Sequence, residues 1–271
     1  MIKSITLQHF KCFKERRTIE FSSVNLLTGE NNTGKHTVLC AIMAVKDFLK
    51  KEEVSKEGLY VMKSLENYRC NAEPFKDPVV GINIPDPNRL NEELANLYFI
   101  SPYRGENRGV YDKLPKIEEV LFDKPEHIKK FIGNCDDKTD LRYEGIGYKC
   151  VRNITKAMYL AEENSIVMIE YPEIGIHPSV LSKLIDFIIK KSTEKKIQLF
   201  IKTNSVYVIN ELRIAVINEL VDNKDVRILD FRREELETPN ITEISIDNNG
   251  NISYYPDGFM EEYGKQMSKL V

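Results

Sequence analysis

The chain has 271 residues, of which 42% are hydrophobic and 30% charged, with a formal net charge of −3. This composition is typical of a globular domain of ordinary size and gives no overall basic charge of the kind that nucleic-acid binders carry. The five cysteines are odd in number, widely spaced and without a C-x-x-C pair, which argues against a disulfide framework or a zinc site. No apolar run approaches a membrane span, and the N-terminus alternates like a strand, so we expect a cytoplasmic protein.

The first elements predicted along the chain are three strands and a helix. Apolar residues within 2–10 indicate one strand, those at 19–21 a second, and those at 24–27 a third. A helical pattern of apolar residues then runs from Lys35 to about residue 51.

The middle of the chain is predicted to form a lobe or insert, over about residues 50–140. Its four prolines between residues 72 and 90 indicate loops with short strands. Residues 97–101 fit a buried strand, and residues 114–132 look helical with a break at Pro125. Arg104 and Arg108 fall in a polar loop, and we expect this lobe to contact a partner.

The second half alternates between helices and apolar strands. Helices are predicted over 144–164, 180–190 and 206–220, and strands at 166–169, 197–201 and 227–231. Near the C-terminus, Asn249-Gly250 predicts a hairpin turn, so we expect a hairpin and helix over about 240–271. This order predicts a single α/β domain over residues 1–271, with a mixed sheet flanked by helices and an antiparallel β part.

The segment from Gly29 to Thr37, GENNTGKHT, lies between a predicted strand and a predicted helix. That arrangement holds nucleotide phosphates, because glycines let backbone N–H groups curl around phosphate oxygens and the helix start adds further donors. Lys35 would reach the β- and γ-phosphates. The alternative is a plain glycine turn between strand and helix. The residues predicted to bind the nucleotide are Gly29, Glu30, Asn31, Asn32, Thr33, Gly34, Lys35, His36 and Thr37.

A second motif, IVMIEYPEIGIHP, spans residues 166–178. An apolar strand that ends in an acid is what a P-loop protein needs beside its loop, because the carboxylate orients Mg²⁺. Glu170 takes that place. We therefore predict Thr37 and Glu170 as metal ligands, with Glu170 and Glu173 as candidate catalytic residues.

Five segments together resemble the ABC-type ATPases of the RecF, SMC-like and OLD group, often described as AAA ATPases. They begin at Ile2, Tyr98, Ile169, Ile197 and Ile252, in the right order, and cover most of the chain. The last, ISYYPDGFMEEYGKQMSKL, is similar to the C-terminal segment of a stand-alone branch linked to anti-phage defence. The resemblance implies a P-loop ABC-ATPase head domain. It also implies a homo- or heterodimer of heads with ATP between them, and a partner such as a nuclease. DNA is a further candidate ligand, and no membrane is expected.

The resemblance carries over unevenly to single residues. His36 stands where the family has a metal-binding hydroxyl, and Thr37 matches its second hydroxyl position. Tyr171 stands where many relatives have the Glu that polarises water. In the signature motif, Gly147 is followed by Lys149 in place of serine, and Asn204 replaces the histidine of the switch motif.

These departures predict weak or absent hydrolysis. Mg²⁺ prefers oxygen to an imidazole nitrogen, and a tyrosine phenol is a poor base at neutral pH. We first predict an ATP-binding, nucleotide-gated or scaffolding subunit of an anti-phage defence or DNA-processing complex. The alternatives are an active ATP hydrolase that drives a repair or defence nuclease, and a nucleotide-free interaction scaffold. Whether the chain is an enzyme stays open at this point.

Overall fold

The computed structural model describes residues 1–49, 59–61, 79–85, 94, 96–101, 145–234, 237–255, 258 and 261–270. The described strands are β1 (Ser4–Gln8), β2 (Arg17–Glu20), β3 (Val24–Gly29), β4 (Leu59–Val61), β5 (Val79–Asn83), β6 (Leu97–Ile100), β7 (Ile166–Glu170), β8 (Gln198–Lys202), β9 (Val226–Arg232) and β10 (Asn240–Ile244). The described α-helices are α1 (Lys35–Leu49), α2 (Ile146–Leu160), α3 (Pro178–Glu194), α4 (Val206–Ile217) and α5 (Glu261–Ser268).

The larger sheet has six strands in the order β10-β9-β3-β8-β7-β6. Five of these strands run parallel, and β10 joins the edge antiparallel to β9. The carboxyl ends of β3, β8 and β7 therefore lie side by side at one edge of the sheet. Ligands of open α/β sheets bind at this edge, and the residues that follow these strands are the ones the sequence singled out.

Both faces of the larger sheet are covered, which explains its continuous apolar strands. Every residue of β7 and of β8 is buried. Because side chains alternate between faces, Val167 and Ile169 pack into one core with helices α2, α3 and α4, while Ile166 and Met168 pack into the other. The IVMI pattern is thus the signature of a strand buried on both faces.

The second core lies between the larger sheet, helix α1 and a four-stranded antiparallel sheet in the order β2-β1-β5-β4. Leu39 and Ile42 of α1 are fully buried there together with Ile5 and Leu7 of β1. The four-stranded sheet therefore packs against α1, the helix that follows the loop of residues 29–37. This antiparallel part confirms the fold predicted from the sequence.

Helix α3 begins where His177 caps it. The Ser179 N–H donates to His177 Nδ1 at 3.3 Å, and Pro178 occupies the first turn, where its missing N–H is harmless. At the C-terminal end of the described chain, Gly250 has φ +74° in the turn between bridged residues Ile246 and Ile252. The expected hairpin is therefore present, and α5 follows it.

The predicted elements of the described residues are confirmed with small shifts at their ends. The helix predicted over 206–220 ends at Ile217, and the helix from Lys35 is described to Leu49. The predicted helix over 114–132, Pro125, and Arg104 and Arg108 lie outside the described residues, as does most of the lobe predicted over 50–140. Among the described helices, none is long and apolar enough to cross a membrane.

Candidate nucleotide-binding site

The P-loop connects the end of β3 to the start of α1. Gly29 has φ +113° and Gly34 φ +101°, backbone conformations that side chains rarely adopt. A Cβ on Gly29 would lie 2.2 Å from the Phe231 carbonyl oxygen, and one on Gly34 would lie 2.9 Å from Cys12 Sγ. Glycine is therefore required at both positions by φ and by space, and the loop has the geometry that a phosphate cradle needs.

Lys35 is buried at the first position of α1. Its Nζ donates to the Gly29 carbonyl at 2.5 Å, to the Glu30 carbonyl, and at 3.5 Å to Thr33 Oγ1. Burial and the nearby Lys202 lower the pKa of Lys35 to about 8, against the opposing effect of Asp230 and Glu30. The ammonium thus lies inside the loop, where carbonyl and hydroxyl oxygens of the loop surround it.

Glu170 ends β7 and lies at the centre of a compact polar network. Its Oε1 is 2.6 Å from His36 Nδ1 and accepts a hydrogen bond from Lys202 Nζ at 2.8 Å. Burial alone would raise the pKa of this carboxyl, but the bonds from His36 and Lys202 outweigh burial and lower it to about 2. Glu170 is therefore an ionised carboxylate that two side chains of the same chain already hold.

Lys202 ends β8, between the strands that carry the P-loop and Glu170. In the parallel register it pairs with Leu27 of β3 and with Glu170 of β7. Its Nζ lies 4.5 Å from the centre of the Tyr171 ring, a cation–π contact. Tyr171 has φ +48°, and its N–H donates to the Lys202 carbonyl at 2.7 Å. The ammonium is thus held between the Glu170 carboxylate and the Tyr171 ring.

His36 also faces Cys40, one turn further along α1. The Cys40 Sγ and His36 Nε2 atoms are 3.1 Å apart. Bonds with Cys40 and with Glu170 raise the pKa of His36. Burial raises the pKa of the Cys40 thiol, but His36 and Lys11 outweigh it, so that the net effect is a lowered pKa. The imidazole therefore bridges a thiol and the Glu170 carboxylate.

The predicted switch residue, Asn204, follows β8 and contacts both the P-loop and Glu173. The Asn204 N–H donates to Glu173 Oε1 at 3.1 Å, and its side-chain amide lies 3.3 Å from Asn31 Oδ1. With its nitrogen turned toward Gly29, the same amide donates to that carbonyl at 3.1 Å. Burial raises the pKa of Glu173. The structure thus brings together the predicted switch residue, the predicted loop and one predicted catalytic acid.

The predicted signature residues lie apart from these contacts, at the start of α2. A Cβ on Gly147 would lie 2.0 Å from the Gly175 carbonyl oxygen, in the turn that follows Glu170 and Glu173. The Lys149 N–H donates to the Gly145 carbonyl at 3.2 Å, within the first turn of the helix. Helix α2, which carries the predicted signature residues, is thus packed against the turn after β7.

Residues 1–84, which include the P-loop, match the family model of an AAA ATPase domain. Residues 221–270 match a family described as a protein of unknown function, DUF3696. The SMC head domain from Thermotoga maritima is similar in structure, with a TM-score of 0.50, 13% identity, and coverage of 91% of this chain and 99% of that one. This chain therefore shares the fold of that SMC head domain.

A putative ABC transporter ATP-binding protein from Pyrococcus furiosus is also similar, with a TM-score of 0.47, 14% identity, and coverage of 84% of this chain and 96% of that one. No curated protein matches the chain in sequence. The predicted fold class, including the antiparallel part and the C-terminal hairpin, is confirmed. The DUF3696 match overlaps the C-terminal segment that the sequence had singled out.

The donor set of this ATPase fold suits a nucleotide better than Mg²⁺. The glycine geometry and the buried Lys35 fit a phosphate chain, as described above. At the metal position, however, His36 offers an imidazole nitrogen and Glu170 Oε1 is already bonded to two side chains. Thr37 Oγ1 accepts a weak bond from Cys12 Sγ at 3.6 Å. Among the described residues, no group of three His, Cys, Asp or Glu side chains could hold a metal ion.

Two residues of this site were missed in the sequence. Lys202 closes the apolar run IQLFI, and a lysine at the end of a strand buried on both faces is the signal that could have revealed it. Asp230, in β9, is 1% exposed and lies beside Gly29. Its proximity to Lys35 depends on the β3–β9 pairing, which the sequence does not show.

Proposed function

We propose that this chain is an ATP-binding head domain with weak or absent hydrolysis, acting as a nucleotide-gated or scaffolding subunit of a larger complex. One observation carries the proposal. The parts that would bind phosphate, Lys35 and the two glycines with positive φ, are in place, while the carboxylate of Glu170 is held by His36 and Lys202. Binding and hydrolysis need different residues, and only those for binding are intact.

Weak hydrolysis follows from the chemistry of phosphoryl transfer. That reaction depends almost wholly on positioning and on charges that stabilise the transition state, and the metal ion is the largest of them. Glu170 is the acid expected to orient the metal, and it is engaged elsewhere. Tyr171, in the position of the water-polarising Glu, has its ring packed against the Lys202 ammonium instead.

An active hydrolase is the second candidate, and one observation favours it. Glu173 is a half-buried carboxyl with a raised pKa, bonded to the switch residue Asn204, which in turn contacts Asn31 of the P-loop. A carboxyl with raised proton affinity beside a phosphate site could accept a proton from water. In this reading Glu173 would be the general base, and Glu170→Gln and Glu173→Gln would both abolish turnover.

The partner side of the proposal rests on the resemblance to SMC-like and RecF-like heads. Gly147 and Lys149 start a helix that packs against the turn after β7, so a second head would be needed to bring a signature lysine to this nucleotide. We propose a homo- or heterodimer through the heads. An effector such as a nuclease, a DNA ligand and a role in anti-phage defence or DNA processing complete the proposal.

Nucleotide binding and turnover on the purified chain test this function. Fluorescent ATP would be titrated into the wild type, Lys35→Ala and the control Lys190→Ala, whose side chain is half exposed and pairs with Asp186. In parallel, a phosphate-release assay would measure hydrolysis, and light scattering would measure whether the chain forms a dimer. We expect binding that Lys35→Ala abolishes and Lys190→Ala leaves intact, without phosphate release.

Clear turnover that Lys35→Ala and Glu170→Gln abolish would overturn the proposal in favour of the hydrolase. An absence of binding in the folded wild type would leave a nucleotide-free scaffold.

A further inference from the structure

The altered positions at the metal site are neighbours in space, although they are far apart in the sequence. His36 lies in the first turn of α1, Tyr171 follows β7 and Lys202 ends β8. His36 and Lys202 both contact the Glu170 carboxylate, and the Tyr171 ring lies against the Lys202 ammonium. In the sequence, the histidine and the tyrosine look like two separate losses. In the fold they belong to one arrangement that also includes Lys202, which no motif of the sequence marks.

Any protein that binds a polyphosphate beside a buried carboxylate must neutralise that carboxylate. In P-loop proteins the divalent cation does this, because it lies between the acid and the phosphates. The side chain of Glu170 is 4% exposed here, so water screens its charge poorly. Without a cation against it, the carboxylate would repel the triphosphate that Lys35 attracts.

Lys202 supplies that cation. Its Nζ lies 2.8 Å from Glu170 Oε1, and its side chain is 10% exposed, so the ion pair is almost fully enclosed. Lys202 pairs with Leu27 in the strand that leads into the loop, and its charge, after burial, lowers the pKa of Lys35. The Tyr171 ring covers the Lys202 ammonium at 4.5 Å from the ring centre. A positive charge therefore lies directly against the carboxylate, beside the strand that leads into the loop.

We propose that this chain binds its nucleoside triphosphate without a divalent cation, because Lys202 takes over the charge-neutralising role of Mg²⁺ at Glu170. His36 completes the arrangement by occupying the position of the metal-binding hydroxyl and bonding to the same carboxylate oxygen. The inference rests on the proposed nucleotide binding and makes it more specific. It also gives a physical reason for weak hydrolysis, since an ammonium neutralises charge but does not generate or orient a nucleophile as a metal ion does.

The test compares nucleotide affinity in excess EDTA with affinity in excess Mg²⁺. Fluorescent ATP would be titrated into the wild type, Lys202→Met and the control Lys190→Met, and circular dichroism would check the fold of each. We expect the wild-type dissociation constant to differ by less than about threefold between the two conditions, well under the tenfold step that corresponds to one strong interaction. Lys202→Met should lose about tenfold or more in EDTA, while Lys190→Met should match the wild type.

A second test uses a double variant whose ATP binding should become dependent on Mg²⁺. Lys202→Met combined with His36→Ser frees the Glu170 carboxylate and restores the hydroxyl that a P-loop offers to Mg²⁺. We expect this double variant to bind ATP much more tightly in Mg²⁺ than in EDTA.

Two results would overturn the inference while leaving nucleotide binding intact: wild-type binding that disappears in EDTA, or Lys202→Met binding that equals the wild type in EDTA. The wild-type comparison needs no variant, so it decides the matter even if Lys202→Met does not fold. If the folded wild type binds ATP in neither condition, the proposed function itself fails, and the inference fails with it.

Discussion

Removing the ammonium of Lys202 should destabilise the fold, and the size of the effect can be worked out from its contacts. Lys202→Met keeps most of the apolar part of the side chain and leaves the Glu170 carboxylate, 4% exposed, with His36 as its remaining partner in the ion-pair network. Breaking a buried ion pair by removing one partner costs about 3–5 kcal/mol. Because the 2.6 Å contact with His36 remains, we expect the lower end, about 3 kcal/mol, for Lys202→Met.

The lowered pKa of Glu170 reflects the same contacts and corresponds to an effect of the same order. The shift from 4.5 to about 2 corresponds to roughly 3 kcal/mol of preference for the ionised form, at about 1.4 kcal/mol per unit. His36 and Lys202 share that stabilisation. Replacing the carboxylate as well, in Lys202→Met with Glu170→Gln, removes the unpaired charge. The double variant should therefore be more stable than the sum of the two single effects implies, with a coupling free energy of about 2 kcal/mol.

Urea unfolding followed by far-ultraviolet circular dichroism would measure the cycle, since the chain contains no tryptophan for fluorescence. Lys190→Met and Asp186→Asn form the control cycle, because that pair is exposed, at 50% and 42%, and should couple by less than about 0.5 kcal/mol. Effects at Lys202 and Glu170 that add within about 0.5 kcal/mol would refute the ion-pair reasoning.

Three further outcomes can be measured on the same preparations. Since the folded-state pKa of Glu170 lies below 4.5, its contribution is fully present above pH 4.5 and is lost as pH falls toward about 2, so the stability difference between wild type and Glu170→Gln should shrink across that range in urea titrations. Gly147→Ala should lower the melting temperature by several degrees, because its Cβ would lie 2.0 Å from the Gly175 carbonyl oxygen. The control Gly145→Ala should leave the melting temperature unchanged, because among the described residues no heavy atom beyond its chain neighbours lies within 4 Å of its Cβ. Equal melting temperatures for the two variants would contradict the close packing at Gly147. His177→Ala should cost about 1 kcal/mol through loss of the cap of α3, and an unchanged urea midpoint would show that the cap contributes nothing.

Local chemistry made much of this protein predictable from its sequence. Continuous apolar runs such as IVMI indicate strands buried on both faces, and the structure buries every residue of β7. The P-loop could be recognised because its glycines, its lysine and the helix that follows are neighbours in sequence, so the motif needs no tertiary contact to be read. The acid at residue 170 could be found for the same reason, as the end of an apolar strand.

What the sequence alone could not determine is which distant residues share the site. The order β3-β8-β7 places Lys202 between Leu27 and Glu170, and no local pattern states that order. In sequence, His36 and Tyr171 look like separate departures from a catalytic motif, and Lys202 looks like the polar end of a strand. Only the packing of parallel strands turns these residues into one enclosed charge network, because the electrostatics of a carboxylate depend on the atoms within a few ångströms of it and on how little water reaches them.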